Sequence, residues 1–186
     1  MPRAAAGLLL AVAVLALAQS LQVSQSADEV RVTAPGFHFL TGKPLERLQN
    51  GNTVAFDLLL TAFGEGKTTV LQRAFERFVI SYDLWEQTYS VSRMRSRRGQ
   101  AAHLTATQAE EWCISGITLR ASSLPKDDPV WFRLEVRPQE PKQSDPGFDD
   151  SGPSLATLIE VFSRAGRSRH AEVWRVETGA VRLRTR

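Results

Sequence analysis

The sequence predicts a mainly β protein: an antiparallel β-sandwich or curved sheet of about seven strands with two covering helices. Val54, Phe56, Leu58, Leu60 and Ala62 alternate along one stretch, and Val130, Phe132, Leu134 and Val136 along another. Strand side chains point alternately to two faces, so each set makes an apolar face that needs a covering layer. Between them lies Glu76–Ser92, the longest run with strand chemistry, which holds both tyrosines. Turn-rich joints at Gln49-Asn-Gly-Asn52 and Gly64-Glu-Gly-Lys67 favour antiparallel neighbours. An α+β layer fold is the alternative.

The first residues read as an address. Arg3 supplies a positive start, Leu8–Ala18 an apolar stretch, and Ala16-Leu17-Ala18 a small-x-small cleavage signal. This is the pattern of a secretory signal peptide over residues 1–18 with cleavage after Ala18, which places the mature chain in the periplasm or outside the cell. The stretch is short for a bilayer span and no later stretch approaches that length, so no integral membrane span is expected after cleavage. No cysteine stands near the cleavage point and no arginine pair precedes it, which argues against a lipoprotein and against twin-arginine export. Residues 19–27 are polar and read as a flexible tail, and 28–186 as one domain, long enough to bury a good core.

Along that domain, Glu29–Thr33 alternates as a first strand and Pro35-Gly36 ends it. Phe37–Leu48 has no clean period, with Leu45-Glu-Arg-Leu48 suggesting a short turn. Thr53–Phe63 is a strand and Gly64–Lys67 its hairpin loop. Thr68–Phe75 fits a helical stripe or a β-branched strand start; its place between a hairpin loop and the central strand favours strand. In the central stretch Phe78, Ile80, Tyr82 and Leu84 share a face, and after Glu86-Gln87 the parity passes to Tyr89 and Val91. A bulge, or a tight bend between two strands, is expected there.

Arg93–Gln100 reads as a basic loop. A helix follows, with Thr107-Gln-Ala-Glu110 as its capping box, Ala109, Trp112 and Cys113 on one face, and an end at Ser115-Gly116. Ile117, Leu119 and Ala121 make a short strand, Leu124–Pro129 a loop, and Val130–Val136 a strand. Gln139–Pro153, rich in proline and acids, is a flexible loop inside the domain. Leu155, Leu158, Ile159 and Phe162 form an i, i+3, i+4, i+7 stripe, hence a helix over Ser154–Arg164. Ala171–Glu177 and Val181–Arg184 read as a last hairpin.

Composition and motifs narrow the chemistry. At 42% hydrophobic and 23% charged the chain is ordinary for a globular protein and too apolar for disorder. A formal charge of +3 suits solubility but is no footprint for nucleic acid, and no nucleic-acid partner is expected. The single cysteine, Cys113, leaves an exported chain without an internal disulfide, and beside Trp112 it reads as a buried, inert thiol. His38, His103 and His170 lie far apart without compact ligand spacing, so neither a metal nor another cofactor is expected. Gly64-Glu-Gly-Lys-Thr68 is like the end of a phosphate-binding loop, but Thr61 stands where a glycine is needed, and the stretch is better read as a turn. No nucleophile elbow occurs, and no residue is assigned a catalytic role. Asp83 and Glu86 are a poor pair for glycoside chemistry, because the parity switches between them.

Two places suit binding. Trp85 and Tyr89, with Asp83 and Glu86 beside them, offer an aromatic platform edged by carboxylates. Arg93, Arg95, Arg97 and Arg98 are the densest charge cluster, suited to an acidic protein patch, an acidic glycan or anionic lipid. Each has a plainer reading, as a solvated strand end and a solvated loop.

Phe78-Val-Ile-Ser-Tyr-Asp-Leu-Trp-Glu86 with Tyr89-Ser-Val91, and the later Trp131–Val136 and Leu155–Arg164, resemble the core of a family of uncharacterised exported bacterial domains, over about residues 28–185. The resemblance implies a bacterial envelope setting and carries no catalytic residue with it. The resulting expectation is an exported, non-catalytic binding or interaction domain whose partner is a protein or envelope component. A small cell-envelope hydrolase or glycan-active enzyme, and a peripheral lipid-contacting module, are the alternatives.

Overall fold

The computed structural model describes residues 20–95, 99–126, 128–139 and 172–183. The expected signal peptide and the helix over Ser154–Arg164 lie outside the described residues, as do Arg97, Arg98 and all of the acidic loop but Gln139. The described residues form two sheets and two α-helices, and every strand pairing is antiparallel. The larger sheet has the order β6-β5-β4-β3-β8-β9 and the smaller β1-β2-β7. The strands are β1 Gln22–Ser26, β2 Glu29–Thr33, β3 Val54–Phe63, β4 Val70–Asp83, β5 Thr88–Arg93, β6 Gly99–Leu104, β7 Thr118–Arg120, β8 Trp131–Pro138 and β9 Trp174–Glu177. The helices are α1 Gly42–Gln49 and α2 Ala106–Ser115.

The alternation along β3 sets the layers. Val54, Phe56, Leu58, Leu60 and Ala62 are all fully buried, and their partners Phe78 and Ile80 on β4 and Leu134 and Val136 on β8 extend the same face. Val30, Val32 and Leu119 of the smaller sheet are buried in one continuous core with them. Phe39 meets the Phe56 ring edge-on at 5.1 Å, and Trp174 lies 6.4 Å from both. Helix α2 packs against β5 of the larger sheet and β2 of the smaller, and so bridges the layers. Both edges of the smaller sheet are stitched to the larger one. Leu21 N–H donates to the Glu177 carbonyl at 3.2 Å. At the other edge the Gln72 amide, oriented to suit, donates to the Arg120 carbonyl at 3.0 Å and accepts its N–H at 3.3 Å, as a neighbouring strand would.

The sheet's outward face is charged and ordered. Asp57 on β3 is fully buried and takes both ends of the Arg77 guanidinium at 2.6 and 2.8 Å, with the Gln139 amide also donating to it. The carboxylate holds the Arg77 guanidinium more firmly protonated than usual. Glu177 joins Lys67 at 2.7 Å to Arg133 at 2.6 Å, and Arg175 reaches Glu135 at 2.6 Å.

Several local expectations change. The stretch 19–27, expected as a loose tail, holds β1: Leu21 and Val23 turn inward while Gln22, Ser24 and Ser26 face out, so half of a real strand looked like polar coil. Leu45–Leu48, expected as a short turn, belongs to the eight-residue helix α1, where Pro44 and Leu48 are buried. Gly99–Leu104, expected as loop end and helix approach, is an edge strand; its glycine and alanines carry no β-branched signal, and the ladder to β5 fixes it. The capping box is Thr105–Gln108, two residues earlier than Thr107–Glu110: Gln108 N–H donates to Thr105 Oγ1 at 3.3 Å and Thr105 N–H to Gln108 Oε1 at 2.9 Å. The last hairpin is replaced by an edge run along β8. Trp174–Glu177 pair with β8 itself, and Val181 bridges Val130. Thr178 covers the offset between them: its N–H donates to the Phe132 carbonyl, and its Oγ1 accepts the Phe132 N–H, both at 2.9 Å.

Candidate binding site

The parity switch in the central stretch is a hairpin. Asp83 and Thr88 are the last facing pair of β4 and β5, and Leu84, Trp85, Glu86 and Gln87 form the turn between them. Asp83 begins it with its side chain: Oδ1 accepts Trp85 N–H at 2.8 Å and Glu86 N–H at 3.1 Å. An aspartate folded onto the next amides in this way sets the turn without tertiary help. Those two N–H groups, Glu86 first, hold the Asp83 carboxyl below the usual range and keep it charged at neutral pH. Gln87 closes the turn with φ +54°, a left-handed conformation.

At the tip Trp85 is 96% exposed and Leu84 55%. No described residue stacks on the Trp85 ring. Leu84 lies beside Gly51, so the α1–β3 loop flanks the turn. On the other side Glu86 Oε2 meets His103 Nδ1 at 2.8 Å, both side chains largely exposed. His103 sits on β6 with φ +56°, where the β5–β6 register shifts, and the irregularity turns it towards the hairpin.

Of the described residues that the sequence singled out, the structure gathers Asp83, Trp85 and Glu86 and sets Tyr89, Arg93 and Arg95 apart from them. Tyr89 is 7% exposed and packs its ring 4.8 Å from that of Tyr82, inside the core. Burial, then the neighbouring Tyr82 and Glu110, push its hydroxyl above the ordinary phenol value. Tyr89 therefore supports the turn from beneath and shares no platform with Trp85. Arg93 pairs across from Phe78, five residues down β4 from Asp83; its guanidinium lies 5.7 Å over the Phe78 ring and 5.6 Å over Trp112. Gly116 makes room for it, since a side chain there would meet Arg93 at 2.5 Å and Phe78 at 2.9 Å. Arg95 lies 5.3 Å over Phe75, on the opposite face of the same strand. At about 3.3 Å per residue, Arg95 sits about 25 Å along β4 from Asp83. Arg93 and Arg95 thus lie down the hairpin, away from the tryptophan turn.

Sequence reasoning missed a third cluster. Glu110 on α2, 2% exposed, accepts the N–H groups of Phe39 and Leu40 at 2.7 Å each and meets His38 Nδ1 at 2.7 Å. A glutamate in a helix looks solvated, and no spacing in the sequence marks residues 38–40 as its partners. Its work is structural: it satisfies two buried amides that no strand reaches. Cys113, one turn on, is fully buried, and burial with the Glu110 charge pushes its thiol far above the ordinary value.

An open cleft of about 450 Å³ runs between β4 and β7, lined by Asp28, Glu29, Gln72, Arg73 and Arg120 among others. Its polar groups serve local structure. Asp28 accepts Ser122 N–H at 2.7 Å, which lowers its carboxyl, and Gln72 is spent on the β7 edge. Among the described residues no group of three or more histidine, cysteine, aspartate or glutamate side chains is placed to hold a metal ion. No helix among them is long and apolar enough to cross a membrane.

Comparison of the chain with protein-family models, with curated proteins and with solved structures finds no match to any of them.

Proposed function

We propose that this protein is an exported binding domain, without chemistry of its own, that contacts its partner through the β4–β5 turn. The observation that carries the reading is the exposure of Trp85, 96%, on a turn already pinned by Asp83. A large aromatic ring left in water has an unfavourable hydration cost, and binding recovers it. Tryptophan is also among the residues that dominate binding energy at interfaces. Because the turn is built before a partner arrives, little ordering entropy is lost on contact. The bacterial envelope setting rests on the signal-peptide pattern of residues 1–18 and on the family resemblance of the central stretch.

The test is capture from a cell-envelope extract with immobilised protein, comparing wild type with Trp85→Ala. The expected result is a partner held by wild type and lost with Trp85→Ala, while the variant keeps the wild-type circular dichroism spectrum and unfolding midpoint. Equal capture by both proteins, or none by either, would remove the reading.

A further inference from the structure

We propose that the β4–β5 turn takes a cationic side chain, lysine or arginine, presented by a protein partner, with the Trp85 ring as its face and the Asp83 carboxylate as its counter-charge. This rests on the binding reading above and narrows it to one partner chemistry.

Three features of the tip converge on a cation. The Trp85 ring carries negative potential on its faces, and at 96% exposure those faces are open to a cation. Asp83 directs only Oδ1 into the turn, for both the Trp85 and Glu86 amides, so Oδ2 takes part in neither bond. A carboxylate fixed in place through one oxygen can still pair through the other. Glu86 adds a second carboxylate on the same four-residue turn, held at 2.8 Å by His103. An indole with two carboxylates is a poor match for a phosphate or a sulfated glycan, and equally poor for anionic lipid, which favours basic flanks. The chain as a whole carries +3, but of the described arginines nearest in sequence Arg77 is bound to Asp57, and Arg93 and Arg95 lie over the rings of Phe78, Trp112 and Phe75, away from the turn. Residues 83–88 themselves carry two carboxylates and no lysine or arginine, with the His103 imidazole beside them, so the turn is opposite in sign to the net charge and a cationic segment is drawn to this place rather than to the molecule at large.

The experiment measures fluorescence anisotropy of labelled nona-arginine, nona-lysine and nona-glutamate peptides titrated with the full chain at low salt. The expected result is binding of both cationic peptides and not of nona-glutamate. Trp85→Leu, which keeps apolar bulk without the aromatic face, weakens it about two- to fivefold. Asp83→Asn, which keeps an oxygen for the turn amides and drops the charge, weakens it by a similar factor. Unchanged affinity in both variants, or no binding of either cationic peptide to wild type, overturns the proposal. So does binding to phosphatidylcholine–phosphatidylglycerol vesicles that depends on Trp85 in the absence of peptide binding, which assigns the turn to a lipid surface. Failure here alongside Trp85-dependent capture of an envelope partner leaves the binding reading standing and removes only the cation. Failure of capture as well removes both.

Discussion

Asp83 Oδ1 accepts the backbone N–H of Trp85 at 2.8 Å, so the most exposed large apolar side chain among the described residues is held by the residue that starts its turn. That bond makes the order of the tip depend on one carboxylate charge. The folded-state pKa of Asp83 lies below its ordinary value of 3.8. A lowered carboxyl stabilises the fold above the unfolded value and loses that contribution as pH falls through the folded value. The turn is therefore expected to be ordered at neutral pH and to loosen only below 3.8, as pH falls through the lowered folded value, where amide exchange at Trp85 and Glu86 reports it. Asp83→Ala should show the same fast exchange at pH 7, with the core amides of β3 unchanged.

Trp85→Ala should leave stability within about 0.5 kcal/mol of wild type, because the ring contacts nothing that folding orders. Phe56→Ala, by contrast, empties a fully buried site at the centre of the aromatic cluster and should cost about 3–5 kcal/mol in urea unfolding.

Glu110→Ala removes the acceptor for two amides at once. Each buried N–H left without a partner costs about 1–3 kcal/mol, so the unfolding midpoint should fall sharply and residues 38–40 should become exchange-labile. Glu110→Gln keeps an acceptor oxygen and should recover part of the loss.

The Asp57–Arg77 pair makes a similar demand on the outward face. Asp57→Ala leaves the guanidinium without its bidentate partner, and the cost should reach about 3 kcal/mol, at the lower end for a buried pair because Arg77 is 32% exposed. Urea unfolding of Asp57→Ala against wild type checks it.

Cys113 should be silent to a thiol reagent in the native protein and react at once on unfolding. Burial pushes its thiol up and denies access, so the native labelling rate should track global opening.

The layered β architecture was legible because β3 and β8 are long and alternate cleanly in sequence, and every inward position is buried, although Asp57, Thr61, Glu135 and Arg137 on the other face are buried too. The break at Glu86-Gln87 was legible as a bulge or a tight bend, since a change of parity within one apolar stretch leaves few backbone solutions, and the β4–β5 pairing makes it the bend. What sequence could not supply was exposure. Trp85 and Tyr89 are both aromatic and four residues apart, yet one sits in water and the other under the turn, because Tyr89 continues the inward face of β5 and Trp85 lies beyond the last strand pair. Arg93 misled in the same way: in sequence it heads a basic loop, whereas in the fold it closes a strand and lies on two rings. The weak strands β1 and β6 were hidden because their residues are largely polar, glycine or alanine, and each is fixed by a ladder to the strand next to it in the chain, which propensity does not report.

Site-specific photocross-linking asks most directly whether the turn is where this protein meets a partner. A benzophenone side chain at Leu84 leaves Trp85 intact, and one at Val70, 39% exposed at the far end of β4, is the control. An adduct from position 84 that is missing from position 70, and that disappears when Trp85→Ala is added, is the predicted result. Adducts of equal yield from both positions, or from position 84 regardless of residue 85, would contradict it.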